Sequence, residues 1–354
     1  MNKGFDRAAF VPSRDQLGSA SSEDVARLAG VSRSTVSRTF TPGTPVSPRT
    51  RVRVMEAAAQ LGYRHATHRA ERPESRTVGL IMGALDNPFY QNVLAGFLGE
   101  LHKRGLRVMC REATSPQATE AEVMTMLDHE VDAMVVASSG LRSTAIDECA
   151  AAGVPVVLFN RAVDGVTAAS VQTDNRAGGH TVAELLVRTG HRRIAFINGL
   201  ERASTNRDRL SGFAERLAEL GAAPPIQEYG EYTFEGGREA AKRLMMRTEA
   251  PDAIFVANDI SALGALEGLR RDLGIKVPET VSVVGFDDIP MASWPSFDLT
   301  TVRQRRNRMI AIAMDRIDAI LAGTDSAPER ELVEGRLILR SSVRLSARAD
   351  LTTA

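Results

Sequence analysis

The chain is poor in cysteine and aromatics: two Cys, one Trp, and Phe, Trp and Tyr together at 5% of its residues. Cys110 and Cys149 lie far apart with no second thiol near either, which excludes zinc-ligand spacing and a disulfide framework. Both are expected as reduced core residues. No apolar run approaches the roughly 18 residues of a membrane span. The first residues lack the apolar core of a secretory signal. No membrane partner is therefore expected, and the expected location is the cytoplasm. Enzyme signatures are missing too. There is no G-x-S-x-G, no phosphate-binding Walker loop and no metal spacing among the six histidines, so neither an enzyme nor a cofactor or metal is expected. Arg176-Ala177-Gly178-Gly179 follows a strand but lacks the spacing of a dinucleotide fingerprint, and reads as helix packing.

Net charge is also absent, with 44 Lys and Arg against 44 Asp and Glu, yet the charge is unevenly spread. Residues 21–76 carry ten arginines against five acidic residues, net +5, and residues 1–20 add +1, leaving −6 for the remainder. A basic module on an acidic body suits local attraction to a polyanion. At 354 residues the chain exceeds one domain, and 43% hydrophobic with 25% charged is ordinary for a globular protein.

Residues 22–63 read as three short helices. Ser21 or Ser22 caps the first, and Val25, Leu28 and Ala29 form its apolar stripe. Gly30 supplies the left-handed turn. Ser32 caps a second helix near 32–39 that buries Val36 and turns Arg33, Ser34, Ser37 and Arg38 outward. Ser47 caps a third, with Pro48 at its first position and Val54, Met55, Ala58 and Leu61 on its apolar face. Two helices joined by a Gly-containing turn, with arginines and hydroxyls outward on the second, make a helix-turn-helix.

From Val78 the pattern changes. Short apolar runs (VGLIM, AMVVA, VPVVLFN, RIAFING, AIFVAND, VSVVGFDD) alternate with amphipathic stretches, the mark of βαβ units and parallel sheets. The units outnumber one compact sheet, so two lobes are expected. Polar groups recur after the strands, where open α/β sheets bind ligands. They are Asp86 with Phe89 and Tyr90, then Ser138-Ser139, Asn160-Arg161, Asp174-Asn175, Asn198, Asn258-Asp259 and Asp287-Asp288. Carboxylates, amides and Arg donors beside aromatic faces suit a polyhydroxylated ligand. Asn or Asp after a strand also caps the next helix, which competes as an account of Asn175 and Asp259. Trp294 is expected to pack its loop.

The run D-V-A-R-L-A-G-V-S-R-S-T-V-S-R, with the third helix behind it, closely resembles the headpiece of the lactose-repressor/galactose-repressor family of bacterial transcription regulators. The resemblance covers about residues 20–345. It implies an α/β protein in which an all-α helix-turn-helix headpiece, 21–63, precedes a two-lobed periplasmic-binding-protein-like effector domain with parallel sheets, 77–345. Lobe 1 would take about 77–174 and 303–322, and lobe 2 about 175–290 and 323–345. Residues 1–20 and 346–354 are expected as tails, and 64–76 as a hinge. The family hinge carries a leucine that wedges into the minor groove. No Leu lies between Tyr63 and Leu80 here, so little DNA bending is expected.

By the same resemblance, Arg33, Ser34 and Arg38 reach base edges of double-stranded operator DNA, and Thr35, Ser37, Ser47, Arg49 and Thr50 suit phosphates. Arg207, Tyr232, Asn258 and Asp287 are implied as contacts to a small-molecule effector, a sugar. The implied protein is a homodimeric repressor relieved by that sugar. A cytoplasmic small-molecule-binding protein without a DNA role is the alternative.

Overall fold

The computed structural model describes residues 22–40, 46–61, 63, 76–138, 143–163, 168–322, 324 and 329–345. They fall into two compact units, the headpiece and the chain from Arg76 onward. The two tails and the hinge up to residue 75 lie outside the described residues, as do Ser21, Ser139 and the Ser37 side chain.

The headpiece holds α1 (Ser22–Ala29), α2 (Arg33–Phe40) and α3 (Pro48–Leu61). Val25, Ala26, Ala29, Val36, Val54, Ala57 and Ala58 form its core, with Phe40 and Tyr63 edge to face at 5.8 Å. Two residues of the expected apolar faces point the other way: Leu28 and Met55 are exposed. Their places in the core are taken by Ala26 and Ala57, each two positions away. Gly30 does adopt φ +62°, as the turn requires. Ser32 Oγ accepts from Thr35 N at 3.2 Å and Ser47 Oγ from Thr50 N at 3.2 Å, the two expected caps. Arg51 of α3 donates to the carbonyl of Thr39, tying it to the end of α2.

The second unit runs β1 (Thr77–Met82), α4 (Pro88–Lys103), β2 (Arg107–Glu112), α5 (Pro116–Asp128), β3 (Ala133–Ala137), α6 (Ser143–Ala151), β4 (Val156–Phe159) and β5 (Ala169–Thr173). It continues with α7 (Asn175–Arg188), β6 (Ile194–Asn198), α8 (Ser204–Glu219), β7 (Ile226–Tyr229), α9 (Phe234–Met245), β8 (Ala253–Val256), α10 (Asp259–Glu267), β9 (Ser282–Asp287) and β10 (Thr300–Arg303). It closes with α11 (Arg306–Leu321), β11 (Arg330–Val333) and β12 (Arg336–Ile338). Among the described residues these make two six-stranded sheets, β2-β1-β3-β4-β5-β11 and β7-β6-β8-β9-β10-β12. The strand order is the same in both, and every pairing is parallel except β10 with β12. Each order reverses between its first and third strands, and ligands collect at such switch points.

Two placements differ from the sequence reading. The closing strands split: β11 pairs with β5 in the first sheet and only β12 joins the second. Helix α11 packs on the first lobe, so the chain leaves it beside the open edge of β5 and pairs there before crossing. The strand β10, four residues long, falls between the expected lobe spans that end at 290 and resume at 303, and it belongs to the second sheet. Cys149 is core, but Cys110 is exposed on β2, an edge strand. The Gly-Gly pair does pack helices: a Cβ on Gly179 would lie 2.4 Å from the Arg209 carbonyl, and one on Gly212 would lie 2.1 Å from that of Arg176. This close crossing of α7 and α8 fixes how α8 is rotated, and with it which of its residues face the lobe junction. Among the described residues no helix is long and apolar enough to cross a membrane.

Candidate functional site

On the headpiece, α2 presents Arg33, Ser34 and Arg38 to solvent, while Val36 and Thr39 anchor it from beneath. Thr35 is half-buried, and Thr39 Oγ1 donates to its carbonyl at 2.8 Å. Arg38 lies back along the helix, its Nε donating to the Ser34 carbonyl at 3.2 Å. Ser47 and Arg49 are exposed at the start of α3, with Thr50 half-buried beside them. Donors at a helix N-terminus, flanked by a second basic helix start, fit a groove edge and its phosphates.

In the second unit a cleft of about 400 Å³ opens at the carboxyl ends of both sheets. That volume lies within the range of small-molecule sites. From the first lobe come Asp86, Phe89, Tyr90, Ser138, Asn160 and Arg161, and from the second Tyr232, Asn258 and Asp287. The order of elements explains this convergence. Asn87 caps α4 through Phe89 N at 3.0 Å, and Pro88 fixes the first turn. Phe89 and Tyr90 are thereby delivered edge to face, 5.3 Å apart. The Tyr90 ring lies over Gly83 and the Tyr232 ring over Gly199, each glycine just past the first strand of its lobe. A Cβ on Gly199 would sit 2.2 Å from the Tyr232 ring, so the absent side chain makes room for the aromatic face. Asn258 caps α10 through Ser261 N at 3.2 Å, and Asp259 does not. The hydroxyl of Ser138 is taken up internally, donating to the Ala113 carbonyl at 2.8 Å.

Two expected contacts are corrected. Arg207 does not line the cleft, and its side chain is 54% exposed. Two positions along a helix is a rotation of about 200°, so Arg209 faces inward where Arg207 faces out. Arg209 is 2% exposed and lines the cleft floor. Its Nε donates to Asn175 Oδ1 at 2.8 Å and its Nη1 to the Ala257 carbonyl, while its guanidinium carbon stands 3.7 Å over the Phe286 ring. Its Nη2 is 3.6 Å from Asp287 Oδ1. The signal was in the sequence: 209, 213 and 217 form one stripe, Arg-Phe-Leu, so a charge sits on an otherwise apolar face. Asp174 is likewise outside the cleft. It caps α7 through Ala177 N at 2.9 Å on the crossover between the lobes. Trp294 neither lines the cleft nor packs its loop fully, since it is 53% exposed.

Asp287 is held at φ +131°, a backbone position that L residues rarely adopt and that a functional site tolerates. Gln304 donates through Nε2 to its Oδ1 at 2.6 Å and accepts through Oε1 from Thr173 Oγ1 at 2.6 Å, a relay from the end of β5 to the end of β9. Behind Asp287 lies Asp259, fully buried, accepting from Ile289 N at 2.9 Å and Thr301 Oγ1 at 2.6 Å. Burial, then the neighbouring Asp287, pushes the Asp259 carboxyl up to about 7. Burial raises Asp287 as well, opposed by Arg209 and Gln304. A raised carboxyl makes the folded chain hold its proton where the unfolded chain has lost it. That contribution therefore falls as pH rises from about 4 through about 7. The melting temperature of Asp259→Asn is expected to gain on the parent between pH 5 and pH 8, by calorimetry. Parallel curves would show that Asp259 stays ionised in the fold.

A basic helix-turn-helix joined to a two-lobed small-molecule cleft defines a ligand-responsive DNA-binding regulator. The sequence model described as "Bacterial regulatory proteins, lacI family" matches residues 23–65, and that of a "Periplasmic binding protein-like domain" matches residues 183–343. The HTH-type transcriptional repressor CytR of Escherichia coli (strain K12) is 30% identical over 336 residues, 94% of this chain and 98% of that protein. The solved complex of the transcriptional regulator CelR with cellobiose aligns with a TM-score of 0.70 and 32% identity, over 91% of this chain and 99% of that one. The lac repressor dimer bound to operator and the anti-inducer ONPF aligns at 0.69 and 26%, over 92% and 99%. The chain belongs to the lacI family of bacterial regulatory proteins.

Proposed function

We propose that this regulator is a cytoplasmic homodimeric repressor without catalytic activity, whose headpieces read a pseudo-palindromic operator and whose cleft takes a sugar or sugar derivative. Base edges fall to Arg33, Ser34 and Arg38, and phosphates to Thr35, Ser37, Ser47, Arg49 and Thr50. One headpiece spans few base pairs, so two-fold pairing supplies the length of DNA needed for specificity. The cleft observation carries the ligand class. Tyr90 and Tyr232 offer apolar faces, while Asn160, Arg161, Arg209 and Asp287 offer directed polar groups around one volume. A carbohydrate presents that pairing of C–H surface and hydroxyls. Binding across both lobes biases their closure and, by linkage, operator affinity; DNA must alter effector affinity by the same factor.

The experiment is selection of bound sequences from a random double-stranded pool with the full chain, followed by fluorescence anisotropy on the selected DNA. A two-fold-symmetric sequence, released on adding a sugar that raises the melting temperature, is the expected result. Failure to enrich any sequence would favour a ligand-binding protein with no DNA role.

A further inference from the structure

Among the described residues the chain passes between the two sheets three times, at 173–175, 303–306 and 333–336. The three passages pack together. A Cβ on Gly335 would lie 2.9 Å from Val302 Cγ1 and 3.4 Å from Thr173 Cγ2. At their centre Thr173 ends β5 in the first sheet, paired with Val333, while Gln304 follows β10 in the second, its backbone N–H on the Asp287 carbonyl. Thr173 is fully buried and Gln304 is 4% exposed, and neither lines the cleft. The hydroxyl of Thr173 is thus the first lobe's end of the relay, and the carboxylate of Asp287, which does line the cleft, is the second lobe's. The amide can be set only one way, because reversing it would put its oxygen against the carboxylate. Each lobe has its own apolar core, so this buried polar line joins the lobes rather than building either. It is also sensitive to their angle. An O–H···O bond spans about 2.5–3.0 Å, so a displacement of roughly 1 Å between the ends of β5 and β10 breaks it. Once broken it leaves a buried amide oxygen unpaired, which makes the link either closed or open.

We propose that Gln304 is the positioning residue that couples the cleft to the angle between the lobes: a ligand hydroxyl donating to Asp287 competes with Gln304 for that carboxylate, and the change passes through Gln304 to Thr173 across the crossovers. This rests on the reading of the cleft as the effector site and names the residues through which occupancy is transmitted. Gln304 itself touches no ligand. Occupancy and lobe angle are linked because the same carboxylate serves both, and operator affinity follows the lobe angle by linkage.

The test separates binding from response. Thr173→Val removes the hydroxyl at the far end of the relay and leaves the Gln304–Asp287 contact in place; Thr173→Ser keeps the hydroxyl. Thr173→Ala makes the same cut should the valine variant not melt cooperatively. The full chain and its variants are titrated with D-glucose, D-galactose, D-ribose and cellobiose by calorimetry, and operator affinity is read by anisotropy with and without each sugar. For the parent, a binding sugar is expected to change operator affinity by roughly 5- to 150-fold. Thr173→Val should bind that sugar close to the parent's affinity while the change in operator affinity falls toward 1-fold, and Thr173→Ser should restore it. Hydrogen exchange on the unliganded chain supplies a readout that needs neither sugar nor DNA: Thr173→Val should speed exchange at 303–306 and at 287–289, and Thr173→Ser should not. A valine variant that responds to sugar as the parent does, or a lower melting temperature with the operator response intact, overturns the proposal and leaves a sugar-responsive regulator standing. Exchange unaltered at 287–289 overturns it as well. A parent whose operator affinity no sugar shifts would instead sink the proposed function, and the coupling with it.

Discussion

Arg209→Ala is expected to abolish the effector response, whereas Arg207→Ala binds effector as the parent does. The two residues differ by two positions on one helix, and the fold turns them to opposite sides. Arg209 is the floor of the cleft and the clamp on three of its neighbours. Removing it strands Asn175 Oδ1, the Ala257 carbonyl and the Asp287 carboxylate in a buried setting. Breaking a buried pair by deleting one partner costs about 3–5 kcal/mol. For a unit of this size that lowers the melting temperature on the order of 10 °C. Because instability alone could mimic lost binding, Arg209→Lys is the sharper variant. It keeps the charge near Asp287 but loses the planar fork that reaches Asn175 and Ala257 together. Its effector affinity is expected to fall by roughly 10- to 100-fold while a cooperative melt persists. Effector binding that survives Arg209→Lys unchanged, measured by calorimetry, would remove Arg209 from the site.

What the sequence made legible, and what it did not, follows from how each feature is encoded. Strand ends were readable because an apolar run stops abruptly at a polar residue, and the carboxyl ends of parallel strands share one edge of the sheet. Asp86, Asn160, Asn258 and Asp287 each follow such a run, so the topology alone carries them to one cleft. The departures lie within helices that the sequence does place: Arg209, Ala26 and Ala57 face inward, each two positions from the expected Arg207, Leu28 and Met55, while Val25, Ala29, Val54 and Ala58 are core as expected. Rotation is fixed by close helix crossings, such as Gly179 against Arg209 and Gly212 against Arg176, which a linear pattern does not display. Placement of β11 failed for a different reason. Its partner β5 lies far back in the chain, and only the landing point of α11 determines which edge it meets. Asp259 shows the limit of local rules: adjacent to a true cap, it is drawn into the core by Ile289 and Thr301 instead.

On DNA, Arg33→Ala is expected to cut sequence discrimination sharply, while Arg49→Ala weakens binding to all sequences alike. Arg33 stands exposed at the first turn of α2, so its loss leaves the headpiece core of Val25, Val36 and Val54 untouched. A bidentate Arg–guanine contact is worth about 1–3 kcal/mol of discrimination. A two-fold dimer presents it twice, so the operator loses about 2–6 kcal/mol, roughly a 30-fold to 10⁴-fold drop in affinity. Non-specific affinity should change little, because it rests on the summed phosphate contacts. Arg49, exposed at the start of α3, is a phosphate candidate. Its removal takes about one neutralised phosphate from each half-site, so the slope of log affinity against log salt should flatten by about 2. Anisotropy on the selected operator and on a scrambled duplex, across a salt series, separates the two behaviours. Equal losses of Arg33→Ala on both duplexes would move Arg33 from the bases to the backbone. An unchanged salt slope for Arg49→Ala would take α3 out of the interface and leave α2 to hold the register by itself.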